Sequence, residues 1–518
     1  MSCRLQVSHV LAMASKPPSL DDLDAPDWFL QAADDLKSTR PRWCKGLPAI
    51  ALRGGAMLPA DAYPWTLSAL AYIEAEAVRH DIVDLLRRHG ELASVDLWMA
   101  AVVDAWVAGA APVRDAWVLT GASFLGGDAT VRSLRDAVRR CSRDKDRTLA
   151  LRGLDALSRI GSEAALEEVA VLSAGIRDRS VADEAQQLME HKAAAQGASR
   201  GEIEDSLVSR CGIDRKGERL FSFGPRQFRA VFGKDLSLTL FGEDGRKRVS
   251  MPPVASTDDR AVAEASRAAW SEMKTAVPRI VKAQVKRLEQ AMITGRSWSF
   301  GEFRERLLSH PIISQIAQLL IWQTVEDESR SLRVTEDLSL AGVTDNAVSL
   351  EESMQLRLAH PLRLSPDELT AWRNLFADYH LVQPFSQLAR EVSMCDEALA
   401  SNTLLPIPPH TPLKSGVLYG ILENDGWRLS WASESVFRAS WKSFVADDVT
   451  ALISYTGLLV GAVGKSADQT IRDCSFYRGI MAPDQRHLPG KILPLGEVPP
   501  VAFSETTRRI LRLTTEKG

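Results

Sequence analysis

The sequence has few cysteines, and none of them are spaced as a metal or redox motif requires. The six cysteines are Cys3, Cys44, Cys141, Cys211, Cys395 and Cys474. Zinc ribbons and thioredoxin-like sites need the CxxC spacing, which no two of these residues have. A chain of 518 residues can also bury a sufficient core without disulfides. We therefore expect reduced thiols and a cytoplasmic protein, with no metal or other cofactor.

Long apolar runs are also missing. The stretch from Leu452 to Val463 contains several polar residues and is about half as long as a bilayer span, so it predicts a buried strand. At the N-terminus, Ala12-Met13-Ala14 resembles a signal-peptidase site. However, Gln6, Ser8 and His9 interrupt the apolar segment that a secretion signal requires. These observations predict a protein that neither enters a membrane nor is secreted.

The chain has no excess of basic residues. Its 63 Lys and Arg residues face 67 Asp and Glu residues, which gives a formal net charge of −4. Such a balance creates no overall field that would attract DNA or RNA, so a nucleic-acid surface would have to be a local patch. The hydrophobic fraction of 45% and the 13 Trp residues are typical of a globular protein. The length predicts roughly two to four domains.

The N-terminal part of the chain contains two regions with different patterns. Residues 1–60 are irregular and include Lys16-Pro17-Pro18 and Gly54-Gly55. Residues 61–200 show apolar residues at helical spacing, and Arg147–Gly161 predicts a helix that ends at glycine. Short amphipathic helices bury their apolar faces by stacking, and the Ala- and Leu-rich helix resembles a HEAT-type repeat. We therefore predict an α-solenoid over residues 61–200.

The third region, residues 205–395, begins where the apolar periodicity changes to that of strands. Residues 219–251 predict a small antiparallel meander with a hairpin turn at Asp244-Gly245. Helical structure is predicted for residues 258–393. Its first part has one apolar stripe, formed by Trp270, Met273, Val277, Ile280, Val281, Leu288 and Met292. Further along, Ser365–Glu368 has the sequence of a capping box with proline at the first helical position. This region is therefore predicted to combine a β-meander with a helical core.

The fourth region, residues 396–518, is rich in predicted strands. They are placed at Gly416–Leu422, Trp427–Trp431, Val449–Tyr455 and Thr470–Tyr477. A short helix is predicted at Ser504–Leu513. With the helical repeats, the β-meander and the helical core that precede it, this region predicts a helix-rich α+β fold.

Several short segments occur in an order that resembles a known family. They are Phe221–Phe228, Trp270–Lys274, Arg287–Met292, Arg296–Trp298, Ser309–Pro311, Ile321-Trp322, Ala359–Leu362, Gln383–Glu391 and, more faintly, Phe503–Glu505. The series resembles the bacterial family called domain of unknown function 4132, which is found in MolR-like proteins. Such proteins often carry HEAT-like units before this domain, which fits the predicted helical repeats.

The resemblance implies little about activity, because the family has no reaction that can be transferred to named residues. Many of its members also carry a WGR domain, a module linked to nucleic-acid-associated proteins. The segment Gly426-Trp427-Arg428 has these letters in the wrong order and only indicates a strand after a turn. The resemblance therefore gives no support to a DNA-linked role.

Two His-Pro pairs are candidates for a site assembled from distant parts of the chain. His310 and His360 each precede a proline, and each stands at the same interval before a tryptophan. Together with Asp378 and His380, they would supply proton carriers or metal ligands in an enzyme. The structural interpretation is simpler, because a histidine at a helix entrance can accept hydrogen bonds from free backbone N–H groups. We favour the structural interpretation.

A basic helix face is the candidate for polyanion or partner binding. It consists of Lys274, Lys282, Lys286 and Arg287, within a segment where six basic residues face two acidic ones. Lys282 and Lys286 are one helical turn apart and could contact phosphates. A solvated outer face is the commoner meaning of such a pattern.

No local catalytic motif is found in the sequence. Gly464-Lys465-Ser466 resembles the end of a phosphate loop, but Leu459 stands where the motif requires glycine. We therefore predict a non-enzymatic scaffold or regulatory protein that binds other proteins through its helical repeats. The alternatives are an enzyme whose site is assembled from non-local residues and a polyanion- or nucleic-acid-associated module.

Overall fold

The computed structural model describes residues 20, 23–38, 41–176, 178–195, 205, 207–327, 330–460, 467–482 and 485–515. The chain divides into two units, Met1–Ser209 and Arg210–Gly518. The first is helical and the second combines helices with antiparallel sheets, which confirms the predicted α+β class. Cys3, the suspected signal-peptidase site and Gly464-Lys465-Ser466 lie outside the described residues.

The first unit consists of short helices and one small hairpin. Its elements are α1 (Asp27–Ala33), β1 (Ile50–Ala51), β2 (Met57–Leu58), a 3-10 turn (Ala60–Ala62), α2 (Tyr63–Glu76), α3 (Asp81–His89), α4 (Leu92–Ala108), a 3-10 turn (Val113–Asp115), α5 (Trp117–Leu125), α6 (Asp128–Arg143), α7 (Arg147–Ile160), α8 (Glu163–Gly175) and α9 (Arg179–Ala195). Because each helix is apolar on one face, it is stable only when it packs on its neighbours.

Helices α4, α6 and α8 lie side by side in one layer and run in the same direction. The Asp96 carboxylate of α4 accepts hydrogen bonds from the N–H groups of Gly127, Ala129 and Thr130 at the start of α6, at 2.7–2.9 Å. At the other end, the Arg140 guanidinium of α6 donates to the carbonyl oxygen of Val107 at 2.8 Å. The contacts therefore join the N-terminal parts of α4 and α6 to each other, and likewise their C-terminal parts.

The contact between α6 and α8 repeats this arrangement. Ser162, which caps the N-terminus of α8, donates through its hydroxyl to Asp128 at the start of α6 at 3.2 Å. About two turns further along, Arg135 of α6 pairs with Glu168 of α8 at 3.0 Å. Each helix of the layer thus holds the beginning of the next by side-chain contacts at helix starts, where backbone N–H groups lack intrahelical partners.

The second layer contains α2, α5, α7 and α9. Arg152 of α7 donates to Thr120 of α5 at 3.1 Å, and Thr120 donates to Glu74 of α2 at 2.9 Å. The layers pack closely, since a Cβ added at Gly153 of α7 would lie 2.7 Å from the Val138 side chain of α6. Successive helices alternate between the layers from α4 to α9 and share one continuous core.

Replacement of Asp96 by alanine is expected to lower the free energy of unfolding by about 2 kcal/mol, because the start of α6 loses its acceptor. The hydrogen bonds outweigh burial and lower the pKa of Asp96, so this stabilisation is present at neutral pH and lost as acid protonates the carboxylate. Urea unfolding followed by circular dichroism measures the loss. The control is Asp104→Ala, which removes an exposed carboxylate from the same helix. Equal losses in both variants would contradict the assigned role.

The N-terminal segment is more regular than the irregular residues 1–60 that the sequence predicts. It includes α1 and the β1–β2 hairpin, in which Ile50 pairs with Leu58. Phe29 of α1, Ile50 and Leu58 are all buried in the core of the first unit. These elements are only two to seven residues long, so they carry too little periodicity to be recognised.

The second unit contains helices of very different lengths. They are α10 (Arg260–Thr294), a one-turn helix (Phe300–Glu302) that continues as a π-helical segment (Phe303–Leu308), α11 (Pro311–Ala317), α12 (Pro366–Asp378), α13 (Ser415–Asn424), α14 (Pro500–Thr515), and 3-10 turns at Pro361–Arg363, Glu397–Leu399, Val445–Asp447 and Leu495–Glu497. At 35 residues, α10 is about 52 Å long. The predicted apolar stripe of α10 is confirmed, since Trp270, Met273, Val277, Leu288 and Met292 are buried.

The first sheet of this unit is the predicted meander. It has the order β3-β4-β5-β6, formed by Glu218–Ser222, Gln227–Phe232, Leu238–Gly242 and Lys247–Arg248. The predicted turn at Asp244-Gly245 is present, and Gly245 has the positive φ of 71° that this turn requires. The last strand is shorter than predicted and ends at Arg248.

A second sheet lies within the region that was predicted to be helical. Its order is β10-β9-β8-β11-β7, formed by Leu340–Ala341, Ser331–Val334, Ile321–Thr324, Gln355–Leu358 and Ser297–Ser299. The prediction of continuous helical structure over 258–393 is therefore wrong here. Strands β8 and β9 are only four residues long and are buried at every position. The sequence of β8 does not alternate between polar and apolar residues, and the alternation in β9 is too short to be recognised. The capping box at Ser365–Glu368 is confirmed.

The two sheets contain a repeated hairpin. Lys234–Leu238 and Glu336–Leu340 differ in sequence at the first position alone, and each joins two antiparallel strands. In both turns the Asp carboxylate accepts a hydrogen bond from the Ser N–H two residues later, at 3.2 Å and 3.1 Å. The Leu between them has a φ of 58° and 65°, respectively. The first residues of the two turns, Lys234 and Glu336, form an ion pair at 3.2 Å.

The third sheet contains the longest strands. Its order is β12-β14-β15-β16, with β13 also paired to β14; the strands are Arg428–Leu429, Ala432–Ser433, Val436–Phe444, Val449–Leu459 and Ile471–Arg478. The strands predicted near 449–455 and 470–477 are confirmed, and the predicted C-terminal helix is α14. The strand predicted at Gly416–Leu422 is wrong, because these residues form α13. A short apolar run fits either structure, and Leu418 and Leu422 are buried at helical spacing.

None of the five described cysteines forms a disulfide with another described cysteine. In the described ranges, no helix combines the length and the apolar character that a bilayer crossing demands.

Candidate functional site

The two His-Pro histidines cap helix starts, which confirms the structural interpretation. The Nδ1 atom of His310 accepts hydrogen bonds from the N–H groups of Ile312 and Ile313, at 3.2 and 3.3 Å. The Nδ1 atom of His360 accepts from the N–H group of Leu362 at 3.2 Å. Both imidazoles are buried. Each ring therefore replaces a backbone acceptor that the chain lacks at this point.

Asp378 and His380 lie in a different environment from these two histidines. Asp378 is the last residue of α12, and His380 follows it with a positive φ of 54°; both are exposed. Within the described ranges, no three His, Cys, Asp or Glu residues are arranged to hold a metal ion. A small cleft in the second unit is lined by other side chains, including Lys234, Gln318 and Glu336. An enzyme site built from the four predicted residues stays a prediction.

His360 belongs to a buried network of charged groups that is centred on Glu505. Its Nε2 lies 3.1 Å from Glu505 Oε1. Because Nδ1 accepts a backbone hydrogen bond, Nε2 carries the proton and donates to the carboxylate. Arg390 makes a bidentate contact with the same carboxylate, with Nε to Oε1 at 2.6 Å and Nη2 to Oε2 at 2.7 Å. His360, Arg390 and Glu505 are 0%, 4% and 7% exposed.

The network extends to two long elements. The Nη1 atom of Arg390 donates to Glu289 of α10 at 2.8 Å, so one guanidinium joins two carboxylates. Glu505 belongs to α14, and Arg508, one turn further along α14, approaches it at 3.9 Å. Arg390 itself lies in an irregular segment after α12. The network therefore connects α10, α14 and the segment that contains Arg390.

Lys442 of β14 is a second buried cation beside this network. Its Nζ donates to Gln290 Oε1 at 2.6 Å and to the carbonyl oxygen of Asp425 at 2.7 Å. Arg509 of α14 pairs with the carboxylate of Asp425. Burial, together with the charges of Arg390 and Lys286, lowers the pKa of Lys442 to about 8, although Glu505 and Glu289 oppose the shift. This lysine is thus held by two neutral acceptors.

The protonation states follow from the contacts. Burial would raise the pKa of Glu505, but the hydrogen bonds from Arg390 and His360 outweigh it and hold the pKa well below its usual range. Burial lowers the pKa of His360 despite the nearby Glu505 carboxylate, so the imidazole is neutral at pH 7. At neutral pH the network therefore contains an ionised carboxylate, a charged guanidinium and a neutral imidazole.

Several members of this network stand out in the sequence, but their convergence does not. His360, Glu289, Gln290, Arg390 and Glu505 all occur within the short segments on which the family resemblance is based. Their convergence depends on contacts across 115 residues for Arg390 and Glu505 and 145 residues for His360 and Glu505. Lys442 and Arg509 lie outside these segments, so nothing in the sequence pointed to them. The ordered series of motifs was the clue available from sequence.

The predicted basic face is divided by the fold. Lys274, Lys282 and Lys286 are exposed on α10, whereas Arg287 is half-buried. Lys274 lies over the ring of Trp270, with Nζ 6.0 Å from the centroid. Lys286 approaches the side-chain oxygen of Asn424 at 3.4 Å. The exposed lysines are thus available to a ligand at two separate positions along α10, one at Lys274 and the other at Lys282 and Lys286.

Comparisons with known proteins agree with the resemblance to domain of unknown function 4132. The sequence model of one protein family, domain of unknown function DUF4132, matches residues 245–427 of this chain. This range contains Glu289, His360 and Arg390 and ends before Lys442 and Glu505. The matched range includes none of the helices of the first unit, so the MolR-like character and the HEAT-like repeats stay predictions.

The chain is also similar to an uncharacterized protein, YehI, of Escherichia coli strain K12. The two sequences are 29% identical over 306 residues, which cover 58% of this chain and 25% of YehI. The chain thus spans about a quarter of the length of this relative. No solved structure matches the chain. Over residues 245–427, the chain carries a match to a domain whose biochemical role is unknown.

Proposed function

We propose that the protein is a non-enzymatic scaffold or regulatory protein that binds partner proteins through the helices of its first unit. The observation that supports this proposal is the two-layer stack, in which α4, α6 and α8 are held in parallel by Asp96, Arg140 and Arg135. Stacked helix pairs of this kind resemble HEAT-type repeats, and such arrays present extended surfaces to other proteins. The same arrangement would suit a MolR-like protein.

The second unit supports the non-enzymatic part of the proposal. The groups best able to transfer protons, His360, Glu505 and Lys442, are buried and hydrogen-bonded to other parts of the protein. A general acid or base must come within hydrogen-bond reach of a substrate. These groups instead connect α10, α14 and the third sheet through their hydrogen bonds.

The outer stripe of α4 is the surface that we assign to partner binding. Its exposed residues, Ala93, Leu97, Asp104 and Ala108, follow one face of the helix. Leu97 is 57% exposed. An exposed leucine gains free energy when an apolar pocket on a partner removes it from water.

Replacement of Leu97 by aspartate is expected to reduce partner recovery about tenfold, because a charge would enter an apolar contact. The measurement is quantitative mass spectrometry after affinity purification of the full-length chain from its own cells. The control is Val382→Asp, since Val382 is 80% exposed in the second unit. Circular dichroism verifies that both variants are folded. Recovery of the same partners with both variants would reject this surface, and a wild-type chain that enriches no partner would reject the scaffold function.

We further propose that the protein acts in the cytoplasm. The five described cysteines form no disulfide with one another, which fits a reducing compartment where thiols are not oxidised.

A further inference from the structure

The crossing of α10 and α14 holds more positive than negative groups. We define the cationic crossing as Lys282, Lys286, Arg390, Lys442, Arg508, Arg509 and Arg512. Four carboxylates accompany them: Glu289, Glu423, Asp425 and Glu505. Seven cations against four carboxylates leave an excess of three positive charges in a chain whose net charge is −4.

The two helices run in opposite directions through this crossing. Arg390 joins Glu289 of α10 to Glu505 of α14. Earlier in α10, Lys286 meets Asn424, while Arg509, later in α14, meets the adjacent Asp425. Contacts later in α14 thus involve residues earlier in α10, which is the pattern of two antiparallel helices. Arg512, one turn beyond Arg508, extends from the network toward the Lys282 end of α10.

The outer cations of the crossing are accessible, whereas its inner cations are not. Lys282, Lys286 and Arg512 are exposed and Arg508 is half-buried. Arg390 and Lys442 are buried behind them. Burial lowers the pKa of Arg508, and the positive charges of Arg390 and Arg512 lower it further. Glu505 and Glu289 offset part of this repulsion, and a bound anion would offset more of it.

We infer that the cationic crossing binds a multivalent phosphate anion through Lys282, Lys286, Arg508 and Arg512. A single carboxylate would balance one of the three excess charges, whereas a chain of phosphates brings several charges at once. Arginine guanidinium groups match phosphate oxygens in a bidentate manner, and lysines add point charges. Lys282 and Lys286 stand one helical turn apart, about 6 Å, which suits neighbouring phosphates. The site lies in the second unit and does not depend on partner binding by α4.

The test compares two phosphate sources on the full-length chain. Fluorescence anisotropy at about 50 mM salt is measured with a labelled single-stranded oligonucleotide, and inorganic tripolyphosphate is added as competitor. Tripolyphosphate that displaces the oligonucleotide, and stabilises the protein against heat, indicates a site for free polyphosphates as well. Oligonucleotide binding that tripolyphosphate displaces weakly assigns the site to a nucleic-acid backbone. If the oligonucleotide does not bind and tripolyphosphate does not shift the melting temperature, the inference is wrong.

Charge reversal identifies the binding residues. Lys282→Glu/Lys286→Glu is expected to weaken binding at least tenfold and to make the remaining affinity less dependent on salt. Lys274→Glu/Arg279→Glu makes the same charge change on exposed residues of the same helix and is expected to alter affinity less than twofold. Arg512→Glu, which lies on the other helix, should weaken binding as well and guards against a local folding defect in α10. Equal losses in the Lys282/Lys286 variant and in the Lys274/Arg279 control would overturn the assignment.

Discussion

Replacement of Glu505 by glutamine is expected to lower the free energy of unfolding of the second unit by about 3–5 kcal/mol. Glutamine keeps the size of the side chain but removes the charge that faces Arg390 and His360. Arg390 is 4% exposed, and Glu289 would remain as its carboxylate partner in the network. Removing one partner of a buried ion pair leaves the other charge desolvated and poorly compensated, which costs more than the pair itself contributes.

The predicted loss can be located in the structure. Urea unfolding gives the free energy, and hydrogen exchange of the amides of α14 and of the Arg390 segment shows whether these parts open first. Glu497→Gln is the matched control, because Glu497 is exposed just before α14. The amides of α4 to α9 should keep their protection in both variants. A Glu505→Gln protein as stable as the control would show that the network contributes no specific stability.

The Lys442 side chain is expected to make the second unit more stable as the pH rises from about 8 to 10.5. The folded-state pKa of about 8 lies below the ordinary lysine value of 10.5, so the unfolded chain binds more protons in this interval. Stability therefore increases with pH there, and the penalty for charging Lys442 is fully present below pH 8. A shift of this size corresponds to roughly 3 kcal/mol.

The contribution of Lys442 is isolated by comparison with Lys442→Met. Other groups also titrate in this range; for example, burial raises the pKa of Cys474, which acts in the opposite direction. These groups are common to both proteins, so the difference between their pH profiles reports on Lys442. The wild type should gain stability relative to the variant between pH 8 and 10.5. Parallel profiles would mean that Lys442 is hydrated and has an ordinary pKa.

Patterns that repeat within one element were predictable from the sequence, whereas contacts between distant elements were not. The apolar stripe of α10, the meander and the capping box at Ser365–Glu368 each depend on residues a few positions apart. The second sheet was missed because its strands are only two to four residues long, too short for their alternation to stand out from the helical pattern around them. The matching segments Lys234–Leu238 and Glu336–Leu340 are visible in the sequence and would have located one of its hairpins.

The candidate sites illustrate the same limit. The histidine caps at His310 and His360 follow from local His-Pro chemistry and were predicted correctly. The pairing of His360 with Glu505 requires the chain to return after 145 residues, and no spacing rule indicates it. The basic face of α10 was recognised as a set of charges, but which lysines lie near α14 depends on packing alone. Ion pairs between residues that are far apart in the sequence could therefore be identified only from the three-dimensional structure.

The position of Glu505 in α14 has a consequence for synthesis on the ribosome. Arg390 leaves the exit tunnel more than 100 residues before the carboxylate that neutralises it, since the two are separated by 115 positions. Until then, Arg390 can pair with Glu289 of α10 but lacks the carboxylate that it contacts in a bidentate manner. The nascent second unit should therefore stay open and accessible to chaperones until its last helix has emerged, whereas the first unit can fold while translation continues.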